Sequence, residues 1–170
     1  MEPLTRTVRV ATTDSVDVRQ LADIAARTFP LACPASMAPE NIAAFVGANL
    51  SADRFAEYLA DPQRTVLTAT HDDRIIGYAM LIRGSDDDVE LSKIYVAHEH
   101  HGTGVATALM DLALATAGEW GAGRVWLGVN QANRRAQRFY TRSGFAISGT
   151  RIFRVGASHE NDFIMTRTLR

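Results

Sequence analysis

The feature that most constrains the fold is a pair of glycines between an apolar strand and a long helix. A strand pattern covers VELSKIYV, residues 89–96, Gly102 and Gly104 follow, and a helical pattern begins at Val105. Glycine destabilises a helix interior by about 1 kcal/mol relative to alanine, so this placement indicates a sharp turn or a backbone that a ligand approaches closely. A helix N-terminus offers free N–H groups and a partial positive charge to a phosphate. The pair is therefore either a pyrophosphate site or a tight turn without a ligand.

Size and composition limit the class of protein. The 170 residues are 46% apolar and 22% charged, which is ordinary for a globular protein, and we expect one domain over residues 1–170. A net charge of −1 argues against a nucleic-acid partner. No apolar run reaches the roughly 18 residues that span a membrane, and the first 14 residues hold no apolar signal segment. The single cysteine, Cys33, excludes an internal disulfide, so we expect a cytoplasmic protein with an idle thiol and no membrane partner.

Interspersed strand and helix patterns predict an α/β (α+β) fold, with a mixed central sheet of about seven strands flanked by helices. Residues 30–39 contain three prolines and are expected to be irregular. Helical patterns cover 17–29, 39–50, 51–60, 132–144 and a long segment from 105. Strand patterns cover 7–13, 65–70, 75–83, 89–96, 124–129, 145–153 and 162–169.

Two details of the strands bear on the site. Gly77 inside the strand over 75–83 indicates a β-bulge. In the strand over 89–96, simple alternation places Val89, Leu91 and Lys93 on one face, opposite a face that contains Glu90, Ser92 and Ile94.

The last helix carries a second group of candidate residues. Asn133, Ala136 and Tyr140 recur at helical spacing and therefore share one face. Asn133 suits a helix start, Ala136 leaves room for a ligand, and the phenol of Tyr140, with a pKa near 10, can give a proton to a leaving thiolate. The alternative is a buried tyrosine with a satisfied hydroxyl.

Other phosphate motifs fit less well. A dinucleotide fingerprint requires a third glycine where Thr107 stands and an acidic residue where Asn130 follows the next strand. No G-x-x-x-x-G-K-[ST] sequence occurs, which excludes a P-loop.

Together, the turn and the last helix resemble the GCN5-related N-acetyltransferase (GNAT) superfamily. Residues 101–106 are similar to its pyrophosphate motif R/Q-x-x-G-x-G/A, with His101 in the first position. The last helix is similar to its motif N-x-x-A-x-x-F-Y-x-x-x-G-F at Asn133, Ala136, Phe139, Tyr140, Gly144 and Phe145. A narrower resemblance, carried by PENIAAFV, ELSKIYV, VWLGVNQAN and the tail FRVGASHENDFIMTRTL, is to bacterial PaiA-type polyamine N-acetyltransferases. Asn130 stands where that subgroup is expected to have an aromatic residue.

The resemblance implies the GNAT fold and direct acetyl transfer from acetyl-CoA to a primary amine, without a metal. Two strands splay apart at a bulge, and the backbone of one pairs with the pantetheine arm. Glu90 is the expected base, and the alternatives are a strand-end carboxylate that faces solvent and a water relay as the base. Tyr140 is expected to protonate the departing thiolate, and the backbone N–H of a central-strand residue to polarise the thioester carbonyl. Residues expected to bind acetyl-CoA are Ile94, Tyr95, Val96, His101, Gly102, Thr103, Gly104, Val105, Ala106, Thr107, Asn133, Ala136 and Tyr140.

The acceptor implied by the resemblance is a polyamine or another small amine. A protein lysine, a protein N-terminus or a non-catalytic acyl-CoA-binding module are the alternatives, and the superfamily also allows a homodimer. Asp86, Asp87 and Asp88 can attract a cationic polyamine or simply form a solvated loop.

Two clusters of basic residues each have two possible interpretations. Arg134, Arg135 and Arg138 on the last helix can meet the 3′-phosphate of CoA or simply solvate the helix. His98, His100 and His101 have the composition of a metal site, but mobile loop histidines explain them better.

Overall fold

The computed structural model describes residues 6–169; residues 1–5, part of the segment from which we predicted the absence of a secretory signal, and residue 170 lie outside it. One sheet runs through the described chain. Its strands are β1 (Arg6–Val10), β2 (Arg64–His71), β3 (Arg74–Arg83), β4 (Asp88–Val96), β5 (Arg124–Asn130), β6 (Ala146–Val155) and β7 (Ser158–Thr168). Their order is β1-β2-β3-β4-β5-β7-β6, and every neighbouring pair is antiparallel except β4 and β5, which are parallel.

Five helices flank the sheet, so the predicted α/β class is confirmed. They are α1 (Val18–Ala32), α2 (Pro39–Asn49), α3 (Ala52–Ala60), α4 (Val105–Glu119) and α5 (Arg134–Arg142). Asp17, Ser51 and Asn133 cap α1, α3 and α5 by accepting backbone N–H bonds, as short polar side chains do. Within the described residues, no helix is long and apolar enough to cross a bilayer.

Three element boundaries differ from the sequence prediction by three residues or more: the ends of α1 and β1, and the start of β7, which is Ser158 and not residue 162. Helix α1 continues through Pro30 to Ala32, so the irregular stretch begins three residues later than expected. Proline removes only one hydrogen bond from this last turn, and the ring of Phe29 holds the turn in place by stacking on Phe45 with 4.6 Å between centroids. Strand β1 ends at Val10 because the chain turns where Thr12 N donates to Ser15 Oγ over 2.8 Å.

The bulge predicted at Gly77 is present. Ala69 of β2 pairs with Gly77, whereas Thr70 pairs with Ile75, so Ile76 is the extra residue. A Cβ on Gly77 would lie 2.9 Å from the carbonyl oxygen of Tyr95. Close approach of the neighbouring strand therefore explains the glycine.

A second bulge, in β4, overturns the predicted alternation. Met80 of β3 pairs with Lys93 and Leu81 pairs with Leu91, which makes Ser92 the extra residue. Beyond the bulge each side chain changes face. Lys93 therefore lies on the face of Glu90, and not on the face of Val89 and Leu91 as strict alternation predicts.

A hydrophobic core lies on each face of the sheet. On one face α4 packs against β1–β4, with Leu109, Met110 and Ala113 almost wholly buried. On the other, α1, α2 and α3 pack over the sheet through Leu21, Ile24 and Phe55. The two cores hold β4 rigidly from both sides, and this strand positions the candidate site.

Candidate active site

Strand β4 has a free edge where it separates from β5. The parallel pairing covers only Asp88–Glu90 with Arg124–Trp126, while β5 stays paired with β7 as far as Asn130. A cavity of about 720 Å³ extends from this gap and is bordered by Ile94, Tyr95 and Val96. An unpaired strand edge offers N–H and C=O groups to an extended chain of amides, such as pantetheine.

The glycine turn forms one end of the same cavity. Gly102 and Gly104 have φ angles of 78° and 87°, a backbone conformation that favours glycine. Gly104 is the N-cap of α4 and makes no side-chain cap bond, so the first N–H groups of this 15-residue helix have no capping side chain. A Cβ at either glycine would meet nothing within 4 Å, which leaves the backbone accessible. The turn therefore fits a pyrophosphate in both charge and access.

His101 fastens this turn to the end of β4. Its Nε2 lies 2.7 Å from the carbonyl oxygen of Val96, so Nε2 carries the proton and donates it. Burial lowers the pKa of His101, which keeps the ring neutral at neutral pH. The His101 side chain thus anchors the turn to β4 through a hydrogen bond. This contact does not require the arginine or glutamine that the pyrophosphate motif has at this position.

Helix α5 brings Tyr140 to the opposite wall. Asn133 accepts a hydrogen bond from Ala136 N over 3.2 Å, and Asn133, Ala136 and Tyr140 all line the cavity. The Tyr140 ring packs on Phe139 and Phe145 with centroids 5.7 and 6.2 Å apart. Burial raises the pKa of Tyr140 above its usual value, so the phenol keeps its proton at neutral pH. Among the described residues its hydroxyl has no hydrogen-bond partner, which leaves the proton available to a ligand.

Glu90 and Lys93 face the cavity together as a consequence of the Ser92 bulge. Burial raises the pKa of Glu90, although Arg151, Lys93 and Arg64 oppose that rise. Burial lowers the pKa of Lys93 to about 8, and Glu90 opposes that fall. No ion pair within 4 Å joins either side chain to another described residue. Both ionisable groups are therefore free to exchange protons with a ligand.

Arg151 of β6 forms part of the floor of the cavity. Its Nε donates to Asp162 Oδ2 over 3.1 Å, and the Asp162 side chain is almost fully buried. A Cβ on Gly128 would overlap the Arg151 guanidinium, so the glycine leaves room for this group over β5. The ion pair fixes Arg151 beside the splayed strands.

Comparison with known proteins identifies the family to which this constellation belongs. The acetyltransferase (GNAT) family matches residues 19–145. The chain belongs to this family. An uncharacterised N-acetyltransferase of Mycobacterium tuberculosis is 67% identical over 153 residues, which cover 90% of this GNAT chain and 98% of the relative. The predicted family and enzyme class are confirmed.

Solved structures agree with the fold of this GNAT acetyltransferase. A PaiA N-acetyltransferase of Thermoplasma acidophilum, crystallised in complex with coenzyme A, superposes with a TM-score of 0.84 at 20% identity, over 96% of this chain and 99% of that one. A nourseothricin acetyltransferase is 33% identical with a TM-score of 0.60, over 65% of this chain and 68% of that one. At 20% identity, the similarity to the PaiA N-acetyltransferase shows a shared fold.

Several predicted candidates of the GNAT chain lie elsewhere. Asp86, Asp87 and Asp88 are outside the cavity, and Asp88 forms an ion pair with Arg124 at 2.8 Å. Arg135 lines the cavity, whereas Arg134 and Arg138 do not. His98 and His100 form a 3₁₀ turn, and over residues 6–169 no group of three or more side chains could hold a metal.

Two further cavity residues, Asn130 and Cys33, make local hydrogen bonds. Asn130 Nδ2 donates to Glu160 Oε1 over 3.1 Å. Burial raises the pKa of Cys33 to about 11, so its thiol stays protonated.

Sequence reasoning missed Lys93 and Arg151. Simple alternation places Lys93 on the face of Val89 and Leu91, because the local sequence pattern does not reveal the bulge at Ser92. One signal was available: Lys93 is the only lysine among the 18 lysine and arginine residues of the chain. Arg151 becomes a cavity residue because β7 pairs with β5 and so brings the β6–β7 hairpin to the splayed strands, a contact between distant segments that no local pattern encodes.

Proposed function

We propose that this protein transfers the acetyl group of acetyl-CoA to the primary amine of a small molecule. One observation carries the proposal: the free edge of β4, the glycine turn and the Tyr140 hydroxyl all border a single cavity. A thioester held along the strand edge, with its pyrophosphate at the turn, would present its sulfur towards α5. A module that only binds acyl-CoA has no need of a protonated, unpartnered phenol at that position.

The binding end of the site is assigned as follows. The backbone of Ile94, Tyr95 and Val96 pairs with the pantetheine amides. Residues 101–107 hold the pyrophosphate through N–H groups, with the hydroxyl of Thr107 as an additional donor. Asn133 shapes the start of α5, and Ala136 leaves the space that the pantetheine arm needs.

The reacting end uses two side chains and one backbone group. Glu90 accepts the proton that the acceptor amine must lose before it can attack, because a charged ammonium has no lone pair. The N–H of a residue in the splayed part of β4 polarises the thioester carbonyl. Tyr140 donates its phenolic proton to the departing thiolate. Burial raises the pKa of Tyr140, so the phenol still carries its proton when the thiolate departs.

The acceptor end favours a small molecule over a protein chain. Phe29, Phe45 and Phe153 form an aromatic wall of the cavity. Behind this wall, the three N-terminal helices and β6 close the cavity on the far side of β4. Our specific proposal for the acceptor is a polyamine. We also propose that residues 1–170 form one domain and that the protein is cytoplasmic. The likeness to a nourseothricin acetyltransferase adds nourseothricin to the candidate acceptors.

The experiment is a panel of acceptors assayed for thiol release from acetyl-CoA, with the acetylated product detected by mass spectrometry. The panel contains spermidine, lysine, nourseothricin and a short peptide with a free N-terminus. Turnover of at least one small amine, at a rate well above that with the peptide, is expected. Turnover of the peptide alone, or of nothing in the panel, would contradict the proposal.

A further inference from the structure

Lys93 differs from every other basic residue of the chain. Apart from its five histidines, the chain uses arginine at all its remaining basic positions and a lysine only here. Both side chains carry a positive charge, but arginine cannot lose its proton in a protein, whereas a buried lysine can. The one property that lysine adds at position 93 is therefore the ability to titrate.

The bulge at Ser92 places this amine in the cavity. Lys93 Nζ donates to Ser92 Oγ over 3.3 Å, and no carboxylate of the described chain lies within the 4 Å of an ion pair. The charged groups that face it are Glu90 on β4, Arg64 on β2 and Arg151 on β6. Both arginines have their own carboxylates, because Arg64 contacts Asp61 at 3.2 Å and Arg151 contacts Asp162 at 3.1 Å.

We propose that neutral Lys93 takes the proton from the acceptor ammonium, as a second base beside Glu90. This role rests on the proposed acetyl transfer. Burial and the two arginines lower the pKa of Lys93 to about 8, so roughly a tenth of the molecules hold it neutral at pH 7. A base with a pKa near the working pH is more effective than a carboxylate.

The protons balance over one turnover. The acceptor R–NH₃⁺ gives one proton to the Lys93 amine and becomes R–NH₂. Its lone pair forms the N–C bond while the C–S bond breaks with its electron pair on sulfur, and Tyr140 supplies the proton of the thiol. The second proton lost by the nitrogen restores the Tyr140 phenol, and Lys93 releases its proton to solvent. Net transfer therefore yields the amide, the thiol and one proton.

The competing role for Lys93 is a fixed positive charge that holds an anionic group of the acceptor. Arginine would preserve such a charge but would not replace a base. Lys93→Arg and Lys93→Met therefore separate the two roles, and neither variant should change the affinity for CoA measured by calorimetry.

The test combines kinetics with direct titration. At saturating acetyl-CoA and pH 7, the kcat of both variants should fall at least tenfold and by similar factors. The difference from the parent should shrink as the pH approaches the acceptor's own pKa near 10, because the acceptor is then already neutral. In the parent, lysine-selective ¹³C and ¹⁵N labelling gives a single side-chain signal, which should titrate near pH 8. This signal reports on Lys93 even if a variant fails to fold.

Two results would overturn the inference alone: Lys93→Arg retaining the parental rate and pH profile, or a Lys93 signal that stays fully protonated at pH 9.5. If the parent transfers acetyl to no amine, the proposed function fails, and this role fails with it.

Discussion

The glycine turn gives the sharpest prediction for binding. Gly104 has φ 87° and ψ 0°, so Gly104→Ala should strain the backbone by about 1–3 kcal/mol and lower the melting temperature by a few degrees. Gly104 lines the cavity and the new methyl group would meet no protein atom within 4 Å, so we expect it to occupy space proposed for the pyrophosphate. We expect affinity for CoA to fall at least tenfold, which is about 1.4 kcal/mol.

A matched control separates backbone strain from obstruction. Gly121 lies just beyond the other end of α4 with φ 81°, so Gly121→Ala carries similar strain far from the turn. Calorimetric titration with CoA should show weaker binding for Gly104→Ala and parental binding for Gly121→Ala, both checked for folding by circular dichroism. Equal affinities in the two folded variants would refute the pyrophosphate assignment.

The remaining predictions concern the reacting groups. Tyr140→Phe should lower kcat by roughly 10- to 100-fold in steady-state assays with little change in the KM for acetyl-CoA, because it deletes a proton donor but keeps the ring. Tyr78→Phe is the control, because the Tyr78 hydroxyl is also buried and unpartnered but lies outside the cavity. This variant should keep its activity. A loss equal to that of Tyr140→Phe would show that the Tyr140 effect is one of packing. Glu90→Gln should slow transfer most at low pH, and a rate profile identical to the parent's from pH 6 to 9 would exclude Glu90. Because burial raises the pKa of Glu90 in the folded state, stability falls as the pH rises through that pKa, so thermal melts should show Glu90→Gln more stable than the parent at pH 7 and equal near pH 3.

The sequence contained much of the site because its main features are local. A strand, two glycines and a helix follow one another within 32 residues, so Gly102, Gly104 and the first turn of α4 could be placed without tertiary information. Asn133, Ala136 and Tyr140 share a helix face by spacing alone. The seven strands were predicted because each has its own apolar pattern.

What could not be predicted depends on contacts between distant residues. The Ser92 bulge arises from the register of β4 against β3, and it alone puts Lys93 beside Glu90. The continuation of α1 past Pro30 depends on the stacking of Phe29 on Phe45 from another helix. In both cases tertiary packing overrides a local rule.

Hydrogen exchange of backbone amides tests the central claim, that the cleft between β4 and β5 binds acetyl-CoA. Saturating CoA should slow exchange in peptides covering residues 91–96 and 102–107, where the free edge and the first N–H groups of α4 lie, and leave β1 unchanged. Protection confined to other parts of the chain, with residues 91–107 exchanging as fast as in the free protein, would contradict this account.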